Sequence, residues 1–294
     1  MKHDYSLAHL TVLSLAPPQM IDVAARAGYR YVGLRATRVT PDEVLYDLAH
    51  DRALMQETKA RLADTGVEVL DFELFRMDPS LEPESFAGVL DAAAELGAKH
   101  IIAQLPDPDR ERAVARFARL CDLAKPLSIC VSLEFPHWTE TGSLREAARV
   151  VRAVNRSNAG ILVDMLHFGR SDSTLDELAS LPPEWFRFAH VCDAAKEVPP
   201  TMAGIIHTAR DERQFPGEGG IDVRGILACL PQGIPYALEI PRVALTRAVG
   251  PEEVARLAVA VARSYLDRED RATRLSATAS GAGAAHEPRT VAHA

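Results

Sequence analysis

The chain is short of what several protein classes require. Its four cysteines, Cys121, Cys130, Cys192 and Cys229, show no C-x-x-C spacing and are too sparse for a disulfide scaffold. They read as reduced, mostly buried small hydrophobes, which fits a reducing cytoplasm. Basic charge is also scarce: 33 Lys and Arg stand against 41 Asp and Glu, a net charge of −8, with no basic cluster. That balance argues against a nucleic-acid partner, whose phosphates are bound by grouped Lys and Arg. No run approaches the roughly 20 apolar residues that a membrane span needs. The opening MKHDYSLAHLTVLSLAPP lacks a charged n-region and a small-residue cleavage site, so it is expected to be mature, soluble protein.

What is present suffices for a full core. The 294 residues are 47% apolar and 25% charged, enough for one large α/β domain or two smaller ones. Short β-branched or apolar runs alternate with stretches of helical periodicity, the pattern of βαβ units around a parallel sheet. The spacing predicts eight strands, at 8–14, 31–36, 67–75, 100–105, 129–135, 160–165, 186–192 and 235–240. Helices fall between them, as at 18–28, where Pro starts and Gly ends an apolar face, and at 251–266. Eight such units in this length suit a closed (β/α)8 TIM barrel better than an open sheet. The open dinucleotide-binding sheet also carries a Gly-rich turn after its first strand, and 13-LSLAPPQ-19 has no glycine. The barrel is expected to fill residues 1–267 as a single domain. Residues 268–294, rich in Ala, Ser, Thr and Gly without apolar periodicity, are expected to be a low-complexity, disordered tail.

A barrel of this kind does its chemistry at the C-terminal ends of its strands. Read that way, strand five ends in Glu134, strand six in Asp164, strand seven in His190 and strand eight in Glu239. Alternation supports an inward aim: Cys130, Ser132 and Glu134 share one face, as do Phe186, Phe188 and His190, and Ala237 with Glu239. Three carboxylates crowded into a barrel mouth repel one another unless a cation or protons compensate. With one imidazole they form a hard-to-borderline ligand set suited to one divalent ion, Mn, Co, Mg, Fe or Zn, with manganese favoured. Any one of these residues alone is more often a salt-bridge, capping or core partner; four consecutive strands delivering them is the signal.

The stretches 133-LEF-135, 163-VDMLHFGRS-171, 189-AHVCDA-194, 216-PGEGGID-222 and 238-LEIP-241 resemble the xylose isomerase-like TIM barrels, the sugar phosphate isomerase/epimerase superfamily. The resemblance implies that Glu134, Asp164, His190 and Glu239 bind one catalytic metal, and that Glu134 and Glu239 are the acid and base on opposite faces of the substrate. It implies that His167, Asp193, Lys196 and Glu218 lie near the substrate. The long segment between His190 and Glu239 is expected to cover the site, with Arg210 or Arg213 available to an anionic substrate. Arg35, Glu73, Arg76 and Gln104, at the ends of strands two to four, are further candidate contacts by position alone.

The expected activity is isomerisation or epimerisation of a keto sugar or related polyol through a metal-stabilised enediolate. A dehydratase acting on a cyclic ketopolyol or a 3-dehydroshikimate-like acid is the alternative, since elimination of water passes through the same intermediate. An endonuclease IV-type nuclease needs extra histidines at the ends of strands two to four, and LRA, ELF and AQL offer none. A non-catalytic sugar-binding protein has no need of four intact ligands. A homo-oligomer is compatible with the sequence.

Overall fold

The computed structural model describes residues 3–281, with side chains described up to Leu266. Eight parallel strands close into a barrel in chain order: β1 (Tyr5–Ala8), β2 (Tyr31–Arg35), β3 (Glu68–Arg76), β4 (His100–Gln104), β5 (Cys130–Glu134), β6 (Ala159–Asp164), β7 (Ala189–Val191) and β8 (Tyr236–Leu238). Closure is made by β1 pairing with β8, Ser6 opposite Ala237 and Leu7 opposite Leu238. No helix among the described residues is long and apolar enough to cross a membrane. All four cysteines are free thiols.

Local chemistry sets the element ends. Asp51, Asp109 and Ser143 accept backbone N–H bonds from Leu54, Arg112 and Glu146, which starts the helices Arg52–Thr65, Arg110–Ala124 and Leu144–Val154. The helix Pro17–Ala27 opens on two prolines and stops at Gly28, whose φ of +83° is the left-handed conformation that glycine adopts without a Cβ penalty.

Two boundaries depart from expectation. The first strand is Tyr5–Ala8 rather than 8–14, because the chain turns into a 3-10 helix at His9–Val12. The apolar run LTVLS looks like a strand, but its buried His9, Thr11 and Val12 pack beneath the turn instead. The last helix, Pro251–Gly281, runs past the boundary expected at 267. The residues just beyond 267 are rich in Ala and Arg, which favour helix. The rest of the expected tail, 282–294, lies outside the described residues.

The barrel interior follows the predicted alternation. Ile102, Leu162, Phe188 and Ala237 form one small apolar cluster inside it, with Tyr31, Leu70 and Leu74. Each of the four stands two residues before Gln104, Asp164, His190 and Glu239, so the same strand faces that fill the barrel carry the polar residues to its mouth.

Candidate metal centre and its pocket

Strand β6 buries Ile161, Leu162 and Val163 completely, then ends at Asp164. Asp164 has two tasks. Its Oδ1 accepts the His167 N–H at 3.0 Å and so caps the helix Met165–Arg170. Its Oδ2 stands 3.6 Å from His190 Nδ1.

Around that imidazole the other carboxylates gather: Glu239 Oε2 at 3.3 Å and Glu134 Oε1 at 3.7 Å. Ligand atoms of all four residues lie within 4.8 Å of one another, and all four residues are buried. The spacings are longer than good hydrogen bonds. They are close to the separation of about 3.0–3.4 Å between neighbouring donors that each sit about 2.1 Å from a shared cation. Both ring nitrogens of His190 are buried without a hydrogen-bond partner, a costly state that a cation at Nδ1 would relieve. The donor set of three carboxylates and one imidazole fits a divalent ion.

One cation is already built in. Arg213, 3% exposed, places Nη1 2.6 Å from Asp164 Oδ2 and Nη2 2.8 Å from Glu239 Oε2. Its Nε donates to the Ala209 carbonyl at 2.8 Å. With the carboxylates ionised and His190 neutral, the states in which they would ligate a metal, three carboxylates and one guanidinium leave two negative charges over, which a divalent ion would balance.

The environment splits the two glutamates. Burial, with the charges of Glu239 and Asp164, pushes the Glu134 carboxyl up to about 8, and Gln104 donates a hydrogen bond to its Oε2. Glu239 meets the same burial, but His190 and Arg213 outweigh it and hold its carboxyl below the usual range. Burial alone would lower the His190 pKa, yet the facing carboxylates, Glu239 first, raise it well above the ordinary histidine value.

A pocket opens from this cluster, lined by Glu134, Glu239, His167, Arg213, Gln104, Glu73, Arg35, Arg76, Arg210, Trp138, Leu10, Val39, Leu74 and Ala209. Of the candidate contacts, His167, Arg35, Glu73, Arg76, Gln104 and Arg210 therefore meet in one cavity. Arg35 and Glu73 also pair with each other at 3.3 Å, and Arg35 reaches Glu43 at 3.4 Å.

Three expected contacts lie elsewhere. Asp193 accepts backbone N–H bonds from Ala194, Gly217, Gly219 and Ile221 at 2.8–3.0 Å, so its carboxylate is spent tying down the loop after β7. Gly219 has to be glycine there, because a Cβ would come within 2.1 Å of the Ala194 carbonyl. Glu218 accepts from Phe215 N at 3.2 Å and pairs with Arg242 at 2.8 Å, fixing the same loop from outside. Lys196 is exposed and its carbonyl, not its amine, is engaged, by Arg170.

Sequence reasoning missed Trp138 and His137. They follow β5 in 136-PHW-138, and Trp138 stands edge-on to the His167 ring at 5.0 Å while His137 Nδ1 lies 3.4 Å from His167 Nδ1. A polar and aromatic pair directly after the Glu134 strand end was the available signal. Of the two alternatives Arg210 and Arg213, both line the pocket, and Arg213 is wedged between two carboxylates.

The chain belongs to the xylose isomerase-like TIM barrel family, whose defining pattern matches residues 21–265. An inosose isomerase of Bacillus licheniformis is 28% identical over 223 residues, 71% of this chain and 77% of that protein. A 3-dehydroshikimate dehydratase of Pseudomonas aeruginosa is 25% identical over 229 residues, 74% of this chain but 34% of the longer relative. Among solved structures, an IOLI protein with a binding zinc atom superposes with a TM-score of 0.76 at 19% identity, over 90% of this chain and 98% of its own. At that identity the likeness speaks for the fold.

Proposed function

We propose that the protein is a divalent-metal-dependent isomerase or epimerase of a keto sugar or related polyol. The observation that carries this reading is the cluster of Glu134, Asp164, His190 and Glu239 on four consecutive strands, opening into one polar pocket. Inosose isomerases among the relatives support the same class. These four residues would hold the ion, with manganese favoured. Once bound, the ion supplies Lewis acidity that acidifies the C–H next to a substrate carbonyl.

The protein's own groups do the rest. Glu134 and Glu239, which both line the pocket, trade the proton. Gln104 holds Glu134 by its Oε2, and Arg213 holds Glu239, so both carboxylates are oriented before substrate enters. His167 presents its ring to the cavity, where it hydrogen-bonds a substrate oxygen. Trp138 packs edge-on against that ring.

A second reading, dehydration of a cyclic ketopolyol or a related acid, is favoured by the arginines of the pocket and by the dehydratase relative. The four free thiols support a reducing, cytoplasmic setting for either. The test is solvent deuterium incorporation by metal-loaded protein incubated with a panel of keto sugars and ketopolyols. Exchange at the carbon beside the carbonyl is expected, with an isomer as product; loss of water in the product mass would select the lyase. No exchange with any compound, at a stoichiometry of one metal per chain, would reject both.

A further inference from the structure

The pocket is charged unevenly. Its lining holds Glu134, Glu239 and Glu73, and with them Arg213, which is paired to Asp164 and Glu239, and Arg35, Arg76 and Arg210. The last three arginines are not equally occupied. Arg35 is buried and matched to Glu73 and Glu43. Arg76 donates hydrogen bonds through Nε alone, at 3.0 and 3.2 Å to the two oxygens of Asp78, which leaves its two terminal nitrogens without a hydrogen-bond acceptor among the described residues. Arg210 has neither a hydrogen bond nor an ion pair from its side chain among them.

Arg210 is also an unusual place to leave a guanidinium idle. It is half-buried in the last turn of the helix Met202–Asp211, part of the long segment between β7 and β8. Burial lowers its pKa; Glu43 and Asp211 oppose this, while Arg35 and Arg76 add to it. Position at a helix C-terminus favours a cation, but an exposed lysine would serve that end as well. A planar fork of donors turned into a pocket, beside a second arginine with free donors, is the arrangement that carboxylate and phosphate groups bind bidentately.

We propose that the substrate carries an anionic group, a carboxylate or a phosphate ester, bound by Arg210 together with the terminal nitrogens of Arg76 while its carbonyl end reaches the carboxylate cluster. This rests on the reading of the pocket as the substrate site. It narrows the substrate class to keto acids or phosphorylated keto sugars, whichever reaction follows, because a neutral polyol would leave Arg210 desolvated and unpaired.

The experiment has two arms. In the first, calorimetric titration of inorganic phosphate and of malonate into metal-free protein, at constant ionic strength, reads anion binding without turnover and without a cation to intercept the probe. Wild type should bind at least one of them, and Arg210→Gln should weaken that binding about tenfold or more, the loss expected for a charge-assisted contact. The probe that binds tells phosphate from carboxylate. Equal binding by Arg210→Gln, or none by wild type at 50-fold the affinity range of about 1 mM typical of weak ligands, overturns the proposal. In the second arm, deuterium exchange into phosphorylated keto sugars, keto acids and neutral keto sugars is compared on metal-loaded protein. Anionic compounds should be favoured in kcat/KM, and Arg210→Gln should erase that preference mainly through KM. A neutral sugar exchanged as well as its anionic counterpart overturns the anion proposal and leaves the proton-transfer reading standing. Arg210-dependent anion binding without exchange in any compound overturns the reaction and sustains the anion site.

Discussion

Arg213 and Asp164 are joined at 2.6 Å inside the barrel mouth, and the same guanidinium reaches Glu239 at 2.8 Å. One arginine thus clamps two of the three carboxylates that face His190. Removing it leaves buried negative charges unpaired, the situation in which breaking an ion pair costs about 3–5 kcal/mol. Arg213→Met should therefore lower the melting temperature strongly in metal-free protein. Saturating manganese should restore part of the loss, because a cation balances the same carboxylates. A scan with and without metal checks this; a variant as stable as wild type without metal would show that the clamp is idle.

Asp164 separates capping from ligation. Asp164→Asn keeps an oxygen for the His167 N–H but gives up the charge that faces Arg213, so metal-free protein should be destabilised by the lost ion pair alone, and metal should bind much more weakly. Asp164→Ala loses both, with about 1 kcal/mol of additional destabilisation from the missing cap. Metal analysis after dialysis and denaturant melts of the two variants read the two effects independently. Stoichiometric metal in both would remove Asp164 from the ligand set.

Glu134→Gln preserves shape and one oxygen but abolishes basicity. Exchange of the substrate α-proton should fall by roughly 10²–10⁴, the usual contribution of general acid–base catalysis, while the fold persists. The measurement is deuterium incorporation at saturating metal. A rate near wild type would pass the proton-transfer role to Glu239 alone.

Acid should weaken the fold through His9. The residue is fully buried beneath the loop after β1; its Nδ1 accepts the Arg35 N–H at 2.9 Å and its Nε2 meets the Leu15 carbonyl at 2.9 Å. Burial, which the Leu15 bond only partly offsets, lowers its pKa from 6.5 to about 4. Between those values the unfolded chain binds the proton that the folded one refuses, so stability rises with pH there. The contribution is complete above about pH 6.5 and is lost as pH falls toward 4, by an amount on the order of 3 kcal/mol. His9→Gln should flatten the pH dependence of urea midpoints in this window. An unchanged slope would assign the acid sensitivity to other buried groups such as His100, whose pKa burial lowers to about 3.

Much of the site was legible because alternation along a strand is a local property. Once Leu162 is taken as inward, Asp164 must be inward too, and the same parity places His190 after Phe188 and Glu239 after Ala237. The first strand was misplaced for a related reason. His9, Thr11 and Val12 are as buried as strand residues, and burial alone does not tell a strand from a turn packed beneath a loop.

The sequence by itself determined the eightfold alternation of strand and helix, the side of each strand that faces inward, and so which four residues cluster at the barrel mouth. Only the tertiary structure decided what the segment between β7 and β8 contributes. That segment carries Asp193, Arg210, Arg213 and Glu218, all charged and spaced without a period, so nothing local ranks them. Folding ties Asp193 to four backbone N–H groups, sends Glu218 outward to Arg242, inserts Arg213 between Asp164 and Glu239, and leaves Arg210 facing the pocket. The reason is physical: a strand's side-chain directions are fixed by its own backbone, whereas a long loop takes its conformation from the partners it finds.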